Sequence, residues 1–262
     1  YEARDSHLAE RFGPERGLEE GPSPPPNTRL VQKWTPYIPT YDRYLSKYRG
    51  RPSVSILELG VKEGGSLSMW LDYFGKGARI TGVDKIPEAQ NFSGPRTTIM
   101  TGDVGNSTFL QSVCQRSGPF DFILDDASHL VHHQRNAHSI LYGCLNMYGT
   151  YMVEDIDTSY KKSYHGLSEQ SFMSYAFGKV HELNAYWSCQ TITSMTDDEQ
   201  CGCDAGADRI PPHQKCSNLG QKPFYTPSNF THTTVGIYFH DGIVVFDKRP
   251  HNHVPKSIYG YI

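Results

Sequence analysis

The sequence predicts an α/β fold in which a mostly parallel β-sheet is covered by helices on both faces and closed by an antiparallel hairpin. The first observation is that short apolar β-type runs alternate with helical segments between Val54 and Val153. Short connections in such an alternation favour parallel strands with helices packed on both faces. The second observation is that two later apolar runs are joined by His240-Asp241-Gly242, and Asp-Gly between β-runs is a strong hairpin signal.

Five β-runs form the parallel part of the predicted sheet, and two more form the hairpin. The parallel runs are Val54–Leu59, Arg79–Val83, Arg96–Met100, Phe120–Leu124 and Thr150–Val153. The hairpin runs are Thr234–Phe239 and Ile243–Phe246. A parallel sheet closed by such a hairpin is the layout of class I methyltransferases, so we expect that Rossmann-like fold with a seven-stranded sheet.

Helices are predicted where apolar residues recur at helical spacing around these strands. The first begins at about Tyr37, and the second is opened by Gly64-Gly65-Ser66, with Ser66 as its expected N-cap, and continues to about Phe74. The others are Asn106–Gln115, His129–Asn146 and Ser168–Trp187.

We expect residues 29–262 to form a single domain behind a flexible tail of residues 1–28, which ends in a stiff Gly-Pro-Ser-Pro-Pro-Pro linker. Residues 188–232 have little periodicity and are expected to form a lid or insertion. This segment contains four cysteines: Cys189, Cys201, Cys203 and Cys216. Two disulfides in any of three pairings are expected, with zinc binding by Cys-x-Cys and His213 as the alternative.

Composition excludes several classes of partner. The chain has 262 residues, of which 37% are hydrophobic, so it is polar but able to form a core. A net charge of −3 without a basic run argues against a nucleic-acid partner. No apolar stretch approaches the roughly 18 residues of a membrane span. Because the chain starts at Tyr1 without Met, we expect that an upstream segment was removed, which could have been a signal peptide or a membrane anchor.

Cysteines and glycosylation motifs indicate the compartment. The cysteine count is even, and N-x-S/T sequons occur at Asn91, Asn106 and Asn229. This combination favours the secretory pathway, and the alternative is a cytosolic protein with free thiols. Cys114 and Cys144, on predicted helices, either pair or remain ordinary buried thiols.

Two acidic clusters follow neighbouring strands of the predicted sheet. They lie in Phe120–His129, which contains Asp125 and Asp126, and in Tyr151–Asp157. Carboxylates at the ends of adjacent parallel strands would meet at one edge of the sheet and could hold a divalent ion, with His129 beside it. The competing interpretation is that the carboxylates are simply solvated at strand ends.

A cofactor site is predicted at the same edge. Glycines after the first strand allow close approach of a ligand, and acids follow the second and third strands. The candidate residues are Glu58, Gly60, Gly64, Gly65, Ser66, Asp84 and Asp103. Their spacing differs from G-x-G-x-x-G and fits S-adenosylmethionine better than a dinucleotide.

These residues carry a family resemblance. The motifs E-L-G-V-K-E-G-G-S-L, a strand ending V-D, L-D-D-A-S-H and V-E-D-I-D resemble the metal-dependent sugar O-methyltransferases of macrolide biosynthesis (the mycinamicin and macrocin type). Related cephalosporin-hydroxylase-like proteins share much of this pattern. The resemblance covers about Val31 to Asp157 and, more weakly, the hairpin. It implies S-adenosylmethionine, Mg²⁺ or Mn²⁺, and methyl transfer to a sugar hydroxyl.

The resemblance also implies residue roles. Asp126, Glu154 and Asp155 match the metal carboxylates of the family, and His129 matches its general base. Three carboxylates without cysteine are typical of a hard, octahedral ion rather than zinc. Asp125 is the alternative to Asp126 as ligand; otherwise it would cap the strand or bind the cofactor.

The acceptor is expected to be a glycan or glycoside, and a secretory homologue points to glycan chains in a Golgi lumen. A homo-oligomer is compatible with the sequence. One alternative is a small-molecule enzyme with an acceptor such as a catechol, which also presents a vicinal diol. Another is a secreted binding domain that kept the fold and lost turnover.

Overall fold

The computed structural model describes residues 31–164, 171–185 and 227–251. The predicted tail of residues 1–28 lies outside the described residues. So do the four cysteines of the predicted lid, and therefore their pairing. Of that lid, only residues 227–232 are described.

One sheet of seven strands has the order β3-β2-β1-β4-β5-β7-β6. The strands are β1 Val54–Leu59, β2 Ala78–Asp84, β3 Thr97–Thr101, β4 Phe120–Asp125, β5 Leu145–Val153, β6 Thr234–His240 and β7 Ile243–Lys248. The pairs among β1 to β5 are parallel, whereas β7 is antiparallel to both β5 and β6. The predicted parallel sheet closed by an antiparallel hairpin is confirmed.

Six α-helices are described around the sheet, together with short 3-10 turns. They are α1 Tyr37–Leu45, α2 Gly65–Phe74, α3 Ser107–Ser117, α4 Val131–Leu141, α5 Phe172–Leu183 and α6 Asn229–Thr233. Among the described residues, none of these helices is long and apolar enough to cross a membrane.

Two helix starts differ from the prediction. Gly64, not Ser66, is the N-cap of α2, and it has a φ of +72°. A Cβ at Gly64 would lie 2.8 Å from the Phe92 ring, so both backbone and space favour glycine there. Helix α4 begins at Val131 because His129 has a φ of +56°, which a helix cannot accommodate.

The two faces of the sheet have separate cores, as strand alternation requires. Ile56 and Phe122 face one core, which α1 and α2 cover with Tyr41, Trp70 and Phe74. The other core lies beneath α3, α4 and α5. Its buried members include Leu57, Ile123, Leu141, Tyr151 and Phe172. Both faces being covered explains why the strands are almost continuously apolar.

A disulfide joins Cys114 near the end of α3 to Cys144, just before β5, with 5.8 Å between their Cα atoms. The sequence left open whether these two cysteines pair or remain free thiols, and in the structure they pair. The crosslink ties the helix before β4 to the start of the neighbouring strand. It therefore constrains the two strands whose ends carry the acidic clusters.

Candidate active site

A cavity of about 710 Å³ opens at the carboxyl edge of the sheet. Gly60, Ser66 and Asp84 line one end, and Asp126 and Asp155 line the other. This volume lies within the usual range for a small-molecule site, and the carboxyl ends of parallel strands are the usual place for one. The predicted cofactor turn and the predicted acidic cluster therefore face one shared space.

The turn after β1 brings the two ends of the cavity together. Gly60 has a φ of +92°, and a Cβ there would clash with the backbone carbonyl of Asp126. The amide of Asp126 in turn donates to the Leu59 carbonyl at 2.9 Å. Only glycine allows this approach, so the β1 turn packs directly against the loop after β4.

Asp84 holds the same turn from the end of β2. Its Oδ2 accepts hydrogen bonds from the amides of Val61 and Lys62 at 3.0 and 2.9 Å, and its Oδ1 accepts one from Ile86 at 3.0 Å. The carboxylate thus shapes the cavity wall while also lining the cavity. Gly65 and Ser66, in the first turn of α2, line it as well.

Four predicted cofactor residues do not line this cavity. Gly64 lies just behind its wall, and the exposed Asp103 accepts a hydrogen bond from the Gly105 amide at 2.8 Å. Glu58 and Asp125 are buried in the protein interior. Burial raises the pKa of each of these two carboxyls to about 7, although Lys33 partly opposes the shift at Glu58.

The acidic end contains a group suited to a metal ion. Asp126, His129 and Asp155 each offer one ligand atom, and these atoms lie within 4.8 Å of one another. His129 Nε2 is 3.5 Å from Asp155 Oδ2. The structure therefore brings the predicted base beside two of the predicted ligands, and it turns Asp126 rather than Asp125 towards the cavity.

Two residues of this group have an unusual backbone. His129 has a φ of +56° and Asp155 a φ of +51°, a region that non-glycine residues seldom occupy. Such conformations persist where the surrounding structure enforces them, and they concentrate at functional sites. Both side chains consequently reach the cavity from loops rather than from the adjoining helix or strand.

Glu154 lies beside the group, but other residues bind its carboxylate. The residue is 1% exposed, and its Oε2 accepts a hydrogen bond from Lys33 Nζ at 2.7 Å. Its Oε1 accepts one from the Tyr41 hydroxyl. Burial raises the pKa of Glu154 to about 8, with Lys33 acting against that shift.

Lys33 is the main site residue that the sequence did not identify. Its Nζ donates to Asp126 Oδ2 at 2.5 Å as well as to Glu154, and its side chain is 5% exposed. Burial alone would lower the pKa of Lys33, but Glu154 and Asp126 raise it well above its usual range. A lysine in the segment before α1 gives no local signal of this pairing, because its partners follow 93 and 121 residues later.

Helix α1 contributes two tyrosines to the acidic end. The Tyr37 hydroxyl donates to Asp155 Oδ1 at 2.7 Å, and Tyr41 donates to Glu154. Helical spacing predicts that both rings face inward, but not that their hydroxyls bind carboxylates. The one available signal is that a buried tyrosine hydroxyl requires a hydrogen-bond partner.

Fold and cavity together define a class I methyltransferase fold with an acidic, histidine-containing site at its ligand-binding edge. A solved structure supports the fold. The MycE methyltransferase from the mycinamycin biosynthetic pathway, in complex with Mg and SAH, matches with a TM-score of 0.69 and 22% identity. The match covers 97% of this chain and 56% of that one. At this identity the likeness establishes the fold alone.

Three curated relatives are sugar-modifying or macrolide O-methyltransferases by name. The 8-demethyl-8-(2-methoxy-α-L-rhamnosyl)-tetracenomycin-C 3′-O-methyltransferase of Streptomyces olivaceus is 36% identical over 140 residues, or 51% of this chain and 35% of the relative. The mycinamicin VI 2″-O-methyltransferase of Micromonospora griseorubida is 34% identical over 140 residues, or 51% and 34%. The demethylmacrocin O-methyltransferase of Streptomyces fradiae is 33% identical over 150 residues, or 53% and 37%.

These relatives confirm the resemblance to macrolide sugar O-methyltransferases that the motifs indicate. The chain spans about a third of the length of the curated relatives it matches. No family model matches the sequence.

The buried Glu58 predicts a pH dependence of stability. Its pKa is 4.5 as a free side chain and about 7 in the folded protein, so the folded state retains a proton that the unfolded chain loses. The contribution of Glu58 to stability is therefore present below about pH 4.5 and is lost as the pH rises through about 7. The loss amounts to roughly 3 kcal/mol.

Glu58→Gln removes this titration, so its free energy of unfolding relative to the wild type should rise across that pH window. Urea unfolding at several pH values, with EDTA present, measures the difference. Glu88→Gln, at an exposed position, is the matched control and should follow the wild type. Parallel pH curves for Glu58→Gln and the wild type would contradict this account of Glu58.

Proposed function

We propose that the chain is an S-adenosylmethionine- and divalent-metal-dependent O-methyltransferase that acts on a sugar hydroxyl. The observation that carries this proposal is that one cavity joins the glycine turn after β1 to the acidic group around His129. Methyl transfer requires the cofactor end and the acidic end to share one space, because the methyl donor and the activated hydroxyl must be aligned for in-line attack. The names of the curated relatives support a sugar acceptor.

At the cofactor end, we assign S-adenosylmethionine to the wall formed by the β1 turn and the first turn of α2. Gly60, Gly65 and Ser66 would lie against it, and Asp84 would accept hydrogen bonds from its ribose. Asp84 already accepts amide hydrogen bonds, so it would be held in place for this role. Gly64, Glu58, Asp103 and Asp125 would then support the site from outside the cavity wall.

At the acidic end, we assign Asp126, Glu154 and Asp155 to a magnesium or manganese ion. The residues fit such an ion because they offer hard oxygen donors, and because Asp126 and Glu154 already converge on the ammonium of Lys33. When bound, the ion would lower the pKa of an acceptor hydroxyl and orient a vicinal diol.

His129 is then the general base. Its Nε2 lies 3.5 Å from Asp155 Oδ2, and Tyr37 holds Asp155 by a hydrogen bond to the other carboxylate oxygen. With S-adenosylmethionine bound, its sulfonium would supply the methyl group to the acceptor oxygen, and Nε2 would accept the proton that the hydroxyl gives up. Asp155 would stabilise the imidazolium formed in this step.

Three exposed sequon residues and one disulfide support a secretory compartment for this chemistry. The sequon residues Asn91, Asn106 and Asn229 are all exposed, and Cys114 is joined to Cys144. The acceptor in such a compartment would be a glycan chain. Loss of mass on enzymatic N-glycan removal from secreted protein would support this location, and unmodified asparagines would count against it.

The activity is tested with labelled S-adenosylmethionine and a panel of glycans, sugar glycosides and catechols, with and without EDTA. We expect label to enter a sugar and transfer to stop in EDTA until Mg²⁺ is restored. Transfer that survives EDTA would exclude the metal role, and methylated catechols alone would exclude the sugar acceptor. No binding of S-adenosylmethionine by calorimetry would exclude the enzyme and leave a binding domain.

Removal of the proposed base should separate chemistry from binding. His129→Ala should reduce transfer by about 10²- to 10⁴-fold, the usual contribution of a general base, while S-adenosylmethionine affinity stays unchanged. Rate measurements and calorimetry on the same preparation test both points. His132→Ala removes a nearby histidine that does not line the cavity and should leave transfer intact. An active His129→Ala variant would mean that another group accepts the proton.

A further inference from the structure

The ammonium of Lys33 binds the same carboxylates that we assign to the divalent ion. Its Nζ lies 2.5 Å from Asp126 Oδ2 and 2.7 Å from Glu154 Oε2. With Lys33 bound and Tyr41 donating to Oε1, both oxygens of Glu154 accept hydrogen bonds. One carboxylate oxygen of Asp126 also lies within 4.8 Å of ligand atoms of His129 and Asp155. In this arrangement, Lys33 is the cation that pairs with Glu154 and with Oδ2 of Asp126.

A divalent ion and the ammonium of Lys33 cannot both contact the carboxylates of Asp126 and Glu154 directly. The ion would have to lie within direct bonding distance of the oxygens that Lys33 now contacts. Two cations at such a separation, in a site where Lys33 is 5% exposed and Glu154 is 1% exposed, would repel one another with little screening by water.

Lys33 belongs to a segment that can respond to the loss of these contacts. Residues 31–34 have no helix or strand, and they lead into α1, where Tyr37 and Tyr41 are held by Asp155 and Glu154. Val31, Gln32 and Trp34 line the cavity together with Lys33. A displaced Lys33 side chain would therefore move within the wall of the substrate cavity.

We propose that Lys33 and the divalent ion are alternative counter-ions for Asp126 and Glu154, so that metal binding displaces Lys33 and rearranges the cavity wall formed by residues 31–34. This inference rests on the metal site of the proposed function. Lys33 is a positioning residue in this scheme: it neutralises the carboxylates until the ion binds, and it lowers the affinity for that ion.

Competition is tested by the metal affinity of Lys33→Met, measured by calorimetry with MgCl₂ and MnCl₂ and without S-adenosylmethionine or acceptor. Because a charge-assisted hydrogen bond no longer has to be broken, we expect affinity to rise by roughly tenfold or more. Lys85→Met is the matched control. It removes the same charge from an exposed lysine that does not line the cavity, so its affinity should stay near the wild-type value.

Displacement is tested on the wild-type protein, which keeps the result independent of whether a variant folds. Limited acetylation with mass spectrometry reports the exposure of each lysine. We expect Lys33 to be protected without metal and to become reactive at saturating MgCl₂, while the exposed Lys85 reacts equally in both conditions.

The outcomes separate this inference from the proposed function. If the wild type binds metal but Lys33→Met binds it equally or more weakly, or if Lys33 stays protected at saturating metal, Lys33 supports the site rather than competing for it. The inference then fails while the proposed function stands. If neither protein binds either metal, both the inference and the metal site are overturned. Tighter binding by Lys33→Met together with metal-dependent acetylation of Lys33 supports the inference.

Discussion

The constraint on which this site depends is the burial of carboxylates at the ends of β4 and β5. Glu154 and Asp125 are almost fully buried, and Asp126 is only partly exposed. Ionised carboxylates in such surroundings need cations or hydrogen-bond donors, since burial removes most of their hydration. The surrounding structure supplies these partners: Lys33 for Asp126 and Glu154, Tyr41 for Glu154 and Tyr37 for Asp155. An edge that concentrates acids in this way is also an edge that selects cations.

This constraint explains the role of the chain before β1. Helix α1 packs on one face of the sheet through Tyr41 and Leu45, and its tyrosines donate hydroxyls to the acidic loops. The segment before the helix adds the ammonium of Lys33. The same contacts fix the orientation of Asp155, which has a left-handed backbone conformation and lies next to His129. The packing of α1 and the geometry of the site are therefore coupled. A shift of the helix would move Tyr37, then Asp155, and through Asp155 the proposed base His129.

The sheet and the general place of the site could be predicted because both depend on local patterns. Apolar runs ending in acids define strands and their polar ends, and parallel strands place those ends at one edge. Details that depend on long-range contacts or on single backbone angles could not be predicted in the same way. Lys33 finds its partners 93 and 121 residues away, and the φ of +56° at His129 moves the start of the predicted helix from His129 to Val131. The choice between Asp125 and Asp126 as the cavity-facing residue follows from the end of β4 at Asp125, a boundary that sequence patterns leave uncertain.

The most direct measurement of the central claim is the position of the ion itself. Anomalous diffraction from crystals grown with Mn²⁺ and S-adenosylhomocysteine would locate it without any assumption about the acceptor. The account predicts one strong peak within coordination distance of Asp126, Glu154 and Asp155, with the cofactor product against Gly60 and Asp84 in the same cavity. A peak at another site, or no peak while the cofactor product is bound, would contradict the assignment of this acidic edge to a catalytic metal.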